Sequence, residues 1–198
     1  MIRHVPNFLT ALRLLLVPIF VVLMAQREAL YHELAVLFFA LAAFTDYLDG
    51  YIARRWGVIS KLGEVLDPVA DKILVMAALV MLVAQRSDIS GAPWVPGWMV
   101  VLILAREMWM SGIRGIAAAQ GNTMPAGKKG KVKSLLQMLA IISLLIHEPQ
   151  QLFGIQISME FLGLSLLAVS IAFSYLSAYD YTVEALRPKK SQGQIQTT

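Results

Sequence analysis

The 198-residue chain contains no cysteine. That excludes disulfides and thiolate zinc sites, and it is neutral on compartment. Charge is scarce too: Asp, Glu, Lys and Arg make up 15% of the residues, against 58% hydrophobic ones. Soluble domains are usually about 45–50% apolar, so a core of this size cannot hide the excess. The mean hydropathy of +0.65 points to a bilayer as the solvent. Histidine is rare, and His4, His32 and His147 lack metal-ligand spacing; they read as interfacial residues. No internal repeat and no low-complexity tract is present. The net charge of +4 speaks for membrane topology more than for nucleic acid, because the basic residues cluster between apolar segments.

What is there is a series of apolar runs. Six segments read as spanning helices: Phe8–Met24, Leu34–Arg54, Val65–Ala84, Gly97–Ala117, Ser134–His147 and Met159–Leu186. The fifth is short for a bilayer that needs about 20 residues, unless it extends back through Val132. The expected fold class is an all-α integral membrane protein. Residues 1–190 form its single domain, and the polar tail 191–198 is expected to be disordered. Arg13 interrupts the first run and no small-residue cleavage site follows, so no cleaved signal peptide is expected. The stretch Ser87–Pro96 reads as a loop broken by Gly91, Pro93 and Pro96.

Basic residues set the orientation. Arg54, Arg55 and Lys61 follow the second segment; Lys128, Lys129, Lys131 and Lys133 follow the fourth. Arg3 and the pair Lys189 and Lys190 mark the termini. The other connections offer Arg27 and Arg86 among acidic residues such as Glu28, Glu33, Asp88 and Glu148. Both termini are therefore expected on the cytoplasmic side. Lys128 and Lys129 read as a loop drawn to anionic lipid, at about 1 kcal/mol per charge. Trp94, Trp98 and Trp109 fit an interfacial belt or lipid contact better than a cofactor box.

Four aspartates stand in or beside these apolar runs. Asp46, Asp49, Asp67 and Asp71 form the pattern D-x2-D-G-x2-A-R-x8-G-x3-D-x3-D with Gly50, Ala53, Arg54 and Gly63. A carboxylate in hydrocarbon costs several kcal/mol, so it normally faces a cavity, a partner or an ion. Spacings of three and four put each pair on one helix face. Two such pairs supply oxygens for one or two Mg²⁺ or Mn²⁺ ions and leave positions for phosphates. Gly50 and Ala53 keep the neighbouring surface free of bulk, Gly63 does so at the third segment, and Arg54 offers a phosphate a forked donor. Taken alone, Gly50 and Ala53 fit a small-residue helix contact equally well.

The run from Asp46 to Asp71 resembles, at every defining position, the motif of the CDP-alcohol phosphotransferase family. That resemblance implies six transmembrane helices around a dinuclear metal site open to the cytoplasmic side of a bacterial inner membrane. It implies metal contact for Asp46, Asp49, Asp67 and Asp71, with Asp71 as general base. It also places the cytidine nucleotide against Gly50, Ala53, Arg54 and Gly63. Asn7 is a reasonable helix N-cap on its own reading, and the likeness adds it as a nucleotide-side candidate.

Three further stretches resemble the branch of that family that uses CDP-diacylglycerol and glycerol 3-phosphate. They are Val5 to Phe20, Leu66 to Lys72, and Ala105 to Arg114 together with Gly130 to Met138. Ser134 stands where that branch usually has Thr. The acceptor is a small dianion, for which Arg114, Lys131 and Lys133 are the expected phosphate-binding cations. Arg106 and Glu107, costly alone in mid-helix, read as a polar clamp between helices in preference to a direct substrate contact, which stays open as the alternative. Two alternatives stay open at this point: another acceptor (inositol phosphate, serine or a lipid), and a divalent-cation transporter. Against the transporter, the acids sit at one end of their helices and no repeat is present. The expected partners are those substrates and membrane lipid, with no nucleic acid. A homodimer is compatible with this size, and no motif specifies its contact face.

Overall fold

The computed structural model describes the backbone of residues 5–26, 28–56, 61–87, 91–119, 128–152 and 155–185. It describes the side chains of residues 11–26, 28–45, 69–70, 72–87, 91–119, 132–151 and 156–185. These form six helices and one hairpin. The helices are α1 (Val5–Met24), α2 (Ala29–Trp56), α3 (Lys61–Ala84), α4 (Gly97–Ala119), α5 (Lys128–Ile146) and α6 (Met159–Ala185). The antiparallel hairpin, β1 (Gln150–Leu152) and β2 (Ile155–Ile157), pairs Gln150 with Ile157 and lies between α5 and α6. The all-α expectation holds, with this short hairpin as the addition.

Local chemistry explains several helix ends. Ser158 caps α6, its hydroxyl accepting from the Phe161 amide at 3.3 Å and its carbonyl from Leu162 at 3.0 Å. At the end of α5, His147 takes a left-handed φ of 53° and its amide still donates to the Ser143 carbonyl at 3.1 Å. Pro18 lies inside α1 and denies the Leu14 carbonyl its usual amide donor. Gly91, at φ 66°, turns the α3–α4 connection, where the Arg86–Pro93 bridge and a Ser87 amide to Ala92 carbonyl bond of 2.9 Å close a tight loop.

Four starts lie earlier than the sequence expectation: α1 at Val5 rather than Phe8, α2 at Ala29 rather than Leu34, α3 at Lys61 rather than Val65, and, by the largest margin, α5 at Lys128 rather than Ser134. The lysines expected in a loop form its first turn. Lysine is a good helix former, and the apolar run behind it supplies the packing that offsets basic charge at a helix N-terminus. The backbone of α5 thereby reaches 19 residues.

The core runs through all six helices. Phe20 and Met24 of α1 meet Phe39 of α2, and Leu74, Leu79 and Leu82 of α3 continue into Ile103 of α4 and Ile141 and Leu144 of α5. The Phe20 and Phe39 rings lie 5.8 Å apart between centroids. The most extensive contact is between α5 and α6, where Gly163 lies against Leu144 and Ala140, and along its length α6 also buries Leu167, Ser170, Ser174 and Ala178. Small residues let helix backbones approach closely, the mode of packing that works without a hydrophobic drive between helices.

The outside also carries many large apolar side chains. Leu15, Leu37, Phe44, Val101, Met108, Phe161, Leu176 and Tyr179 are all exposed. A water-soluble monomer rarely carries so much contiguous apolar surface. Among the described residues α6 is long and apolar enough to cross a membrane, and Ala11–Met24, Ala29–Thr45, Lys72–Ala84 and Val132–Ile146 are shorter apolar helical stretches. These features define a membrane-associated helical protein.

Candidate active site

The aspartates fall on two neighbouring helices that run in sequence order through one end of the bundle. Asp46 and Asp49 lie in the last three turns of α2, and Asp67 and Asp71 in the first three turns of α3. Gly50, Ala53 and Arg54 share α2 with the first pair, Gly63 shares α3 with the second, and Asn7 is in the first turn of α1. The side chains of these residues, and of Lys131 on α5, lie outside the described ones. Their placement is therefore one of backbone and spacing, which keeps each acidic pair on one helix face.

One residue beyond Asp71 the side chains are described, and they form a polar network. Lys72 of α3 donates from Nζ to Ser111 Oγ of α4 at 2.6 Å, and Ser111 Oγ donates in turn to the Glu107 carbonyl at 2.8 Å. Glu107 Oε1 accepts from Arg106 Nη1 at 2.9 Å and from Lys133 Nζ of α5. Arg106 also reaches α6, its Nε donating to the Ser174 carbonyl at 3.1 Å. Arg106 is 6% exposed and Lys133 8%, so both cations are buried with Glu107 between them. Breaking such a pair leaves an uncompensated buried charge, which is why the three residues hold α4, α5 and α6 in register. This is the clamp that Arg106 and Glu107 alone suggested, with Lys133 as a third member.

The predicted acceptor cations thus have different surroundings. Lys133 is buried against Glu107. Arg114, two turns further along α4, is exposed and holds its guanidinium carbon 5.7 Å from the centroid of the Tyr181 ring on α6. Among the described residues, Lys133 lines a recess between α3, α4 and α5 that Arg114 does not line.

A narrow recess of about 40 Å³ opens between α3, α4 and α5. Its polar wall is Lys72, Glu107, Lys133, Ser134 and Gln137, and its apolar wall includes Ile103 and Met138. Lys72 and Gln137 carried no role in the sequence reading. The signal for Gln137 was present: an amide inside the apolar run L-L-Q-M-L-A, four residues from Lys133 and hence on its helix face. A wider groove of about 410 Å³ lies between α4 and α6, bordered by Arg106, Trp109, Tyr175 and Tyr179. There Trp109 Nε1 donates to Thr182 Oγ1 at 3.1 Å and the Tyr175 hydroxyl to the Leu102 carbonyl at 3.0 Å. Aromatic rings with one polar tip satisfied suit the border of a bilayer.

At the opposite end of the bundle, the Gln85 amide donates to the Met24 carbonyl at 2.6 Å, and His32, Trp94 and His147 form a ring cluster. Trp94 is therefore a packed residue, whereas Trp98 and Trp109 are exposed as an interfacial belt requires.

The helices that carry the acid pairs thus adjoin a buried Arg–Glu–Lys cluster in an apolar helical bundle. The sequence model of the CDP-alcohol phosphatidyltransferase family matches residues 3–176, and the chain belongs to that family. It is 34% identical over 191 residues to the CDP-diacylglycerol–glycerol-3-phosphate 3-phosphatidyltransferase of Bacillus subtilis strain 168, covering 90% of this chain and 93% of that protein. It is 37% identical over 165 residues to the protein of the same name from Pseudomonas fluorescens, covering 80% of each. A probable phosphatidylglycerophosphate synthase of Mycobacterium tuberculosis is 32% identical over 191 residues, with 94% of this chain and 83% of that one covered.

Proposed function

We infer that the protein transfers the phosphatidyl group of CDP-diacylglycerol to sn-glycerol 3-phosphate, giving phosphatidylglycerophosphate and CMP. The observation that carries this is likeness along most of the length to transferases of that name, across 90% of the chain in the Bacillus case. The matched region contains the complete acidic pattern, Asp46 to Asp71.

In this reading Asp46, Asp49, Asp67 and Asp71 hold divalent cations, two Mg²⁺ or Mn²⁺ ions by family resemblance. The donor set fits: four carboxylates, two on each of α2 and α3 at same-face spacing, are hard oxygen ligands of the kind these ions take. Such ions, when bound, supply polarisation of the pyrophosphate and charge neutralisation for the departing CMP. Everything else falls to the chain. Gly50, Ala53 and Gly63 let the cytidine nucleotide approach the backbone, Arg54 forks onto its phosphate, and Asn7 borders it. Arg114, Lys131 and Lys133 attract and orient the acceptor's phosphate. Asp71 accepts the proton of the acceptor's 1-hydroxyl as that oxygen attacks the phosphorus of the phosphatidyl group. The new P–O bond forms as the bond to the CMP phosphate breaks, and CMP leaves with that electron pair.

The diacylglycerol tails stay in lipid, against the exposed apolar faces of the helices. The basic connections favour a multi-pass arrangement in a bacterial cytoplasmic membrane, with six spans and with both termini and the active site on the cytoplasmic side.

The test is CMP release from CDP-diacylglycerol by purified protein in detergent with Mg²⁺, with and without glycerol 3-phosphate. Acceptor-dependent CMP that disappears with EDTA is the expected result. CMP released only with another alcohol would keep the reaction class and overturn the acceptor. Folded protein that releases none with any acceptor would overturn the reaction itself.

A further inference from the structure

Gln137 has no place in the chemistry above, yet it is 4% exposed and its Nε2 has no hydrogen-bond partner among the described residues. A buried amide N–H without an acceptor is costly, and native structures rarely leave one unless a water or ligand completes it. Gln137 lines the recess beside Lys72, Glu107, Lys133 and Ser134. On α5 it is four residues from Lys133, so it shares that helix face one turn deeper in the bundle, about 6 Å along the axis. Lys72, on the opposite wall, is the next residue after Asp71. The recess thus lies between Lys133, one of the acceptor-side cations, and the helix that carries the candidate base.

Its size limits the occupant. A recess of about 40 Å³ holds a water or two, or one hydroxyl-bearing carbon, and not a whole sugar phosphate. We propose that Gln137 Nε2 donates to the 2-hydroxyl oxygen of the glycerol 3-phosphate acceptor, making Gln137 a specificity-determining residue. This rests on the acceptor reading above. Of the acceptor's three polar groups, the phosphate calls for cations and the 1-hydroxyl is consumed in the attack. The 2-hydroxyl alone remains to be met by a neutral donor, and a buried amide N–H is one. A donor that only this oxygen satisfies discriminates against any acceptor lacking it, because the analogue leaves the amide unpaired.

The test compares sn-glycerol 3-phosphate with 3-hydroxypropyl phosphate, the same acceptor without its 2-hydroxyl, for wild type, Gln137→Met and Gln137→Leu. CMP release from CDP-diacylglycerol is the readout. Both variants place an apolar side chain of similar size in an apolar helix, and a thermal melt in detergent shows which are folded. Wild type should prefer glycerol 3-phosphate by roughly 10- to 100-fold in kcat/KM, the discrimination expected of one buried hydrogen bond. In either folded variant the ratio should fall to within about threefold, through loss on glycerol 3-phosphate alone, with KM for CDP-diacylglycerol unchanged. An unchanged ratio, or equal loss on both acceptors, would overturn the proposal and leave Gln137 a packing residue. Wild-type protein that releases no CMP with glycerol 3-phosphate would overturn the acceptor reading as well, so the two failures are distinguishable.

Discussion

Trp94 and His147 lie face to face, their ring centroids 3.7 Å apart and their planes 6° from parallel. His32 meets the same indole edge-on at 5.2 Å, and its Nε2 donates to the Leu145 carbonyl at 2.7 Å. These rings join α2, the α3–α4 connection and the end of α5 at the end of the bundle away from the aspartates. His147, just beyond α5, has its proton affinity held below the usual histidine range, chiefly by burial. His32 lowers it further, while Glu160 and Glu148 act in the opposite sense.

That shift makes stability depend on pH. Above the ordinary value of 6.5 the imidazole is neutral in both folded and unfolded chains. Below it the unfolded chain takes up the proton first, so stability falls as pH drops through that value. The detergent-solubilised protein should melt at a lower temperature at about pH 5.5 than at about pH 7.5. His147 is half-buried, so the effect is modest. His147→Asn, which suits the left-handed backbone, should remove that part of the slope. A slope of the same size in the variant would assign it to other groups.

Glu107 holds two buried cations, and its loss should be expensive. Glu107→Gln keeps the shape and leaves Arg106 and Lys133 facing a neutral oxygen. Removing one member of a buried ion cluster typically costs about 3–5 kcal/mol. A large drop in melting temperature in detergent is expected, whereas Glu33→Gln, on the exposed surface of α2, should change little. Wild-type-like melting of Glu107→Gln would show that water or another group carries the compensation.

The α5–α6 contact depends on Gly163. A Cβ there would stand 2.5 Å from Leu144 Cγ and 3.1 Å from the Ala140 carbonyl oxygen, and the second of these belongs to the backbone. Gly163→Ala should therefore destabilise, with overpacking at about 1–3 kcal/mol outweighing the gain of up to about 1 kcal/mol in helix propensity. Gly112 and Gly115 of α4 have open space where a Cβ would go. Gly112→Ala should be neutral or mildly stabilising. Melts of the two variants in the same detergent separate packing from propensity; equal effects would mean that the helices shift apart freely.

Helix positions were legible because apolar runs and breakers are local. The sequence placed α4 from Gly97 and α6 from Met159, where Pro96 and Ser158 stop the preceding chain, and both starts agree with the structure. The first turn of α5 was hidden because four lysines resemble a loop when read alone. The acidic pattern was legible for the same reason as the helices: its pairs are three and four residues apart. The Glu107–Lys133 pair spans 26 residues and the His32 contact with Leu145 spans 113. Contacts of that kind come from how helices pack, and spacing within one segment carries no trace of them. Arg106 and Glu107 showed only that a partner was needed, through the cost of an unpaired charge in hydrocarbon.

Asp71 is the residue on which the proposed chemistry turns. It follows Asp67 by four on α3 and precedes Lys72, whose Nζ is tied to Ser111 of α4. A carboxylate beside two cations is a weak base, so position more than basicity must make it effective. Asp71→Asn keeps the shape and a carbonyl oxygen, and removes the proton acceptor. Turnover should fall by at least about 100-fold, in line with the loss of a general base. Nucleotide binding should be largely retained, since Gly50, Ala53, Arg54 and Gly63 are untouched. CMP release measures the first, and the thermal shift produced by CDP with Mg²⁺ the second. Turnover near the wild-type rate would remove Asp71 from the base role. Loss of both turnover and the CDP shift would make it a residue needed to hold the nucleotide, and the base would have to be sought among Asp46, Asp49 and Asp67.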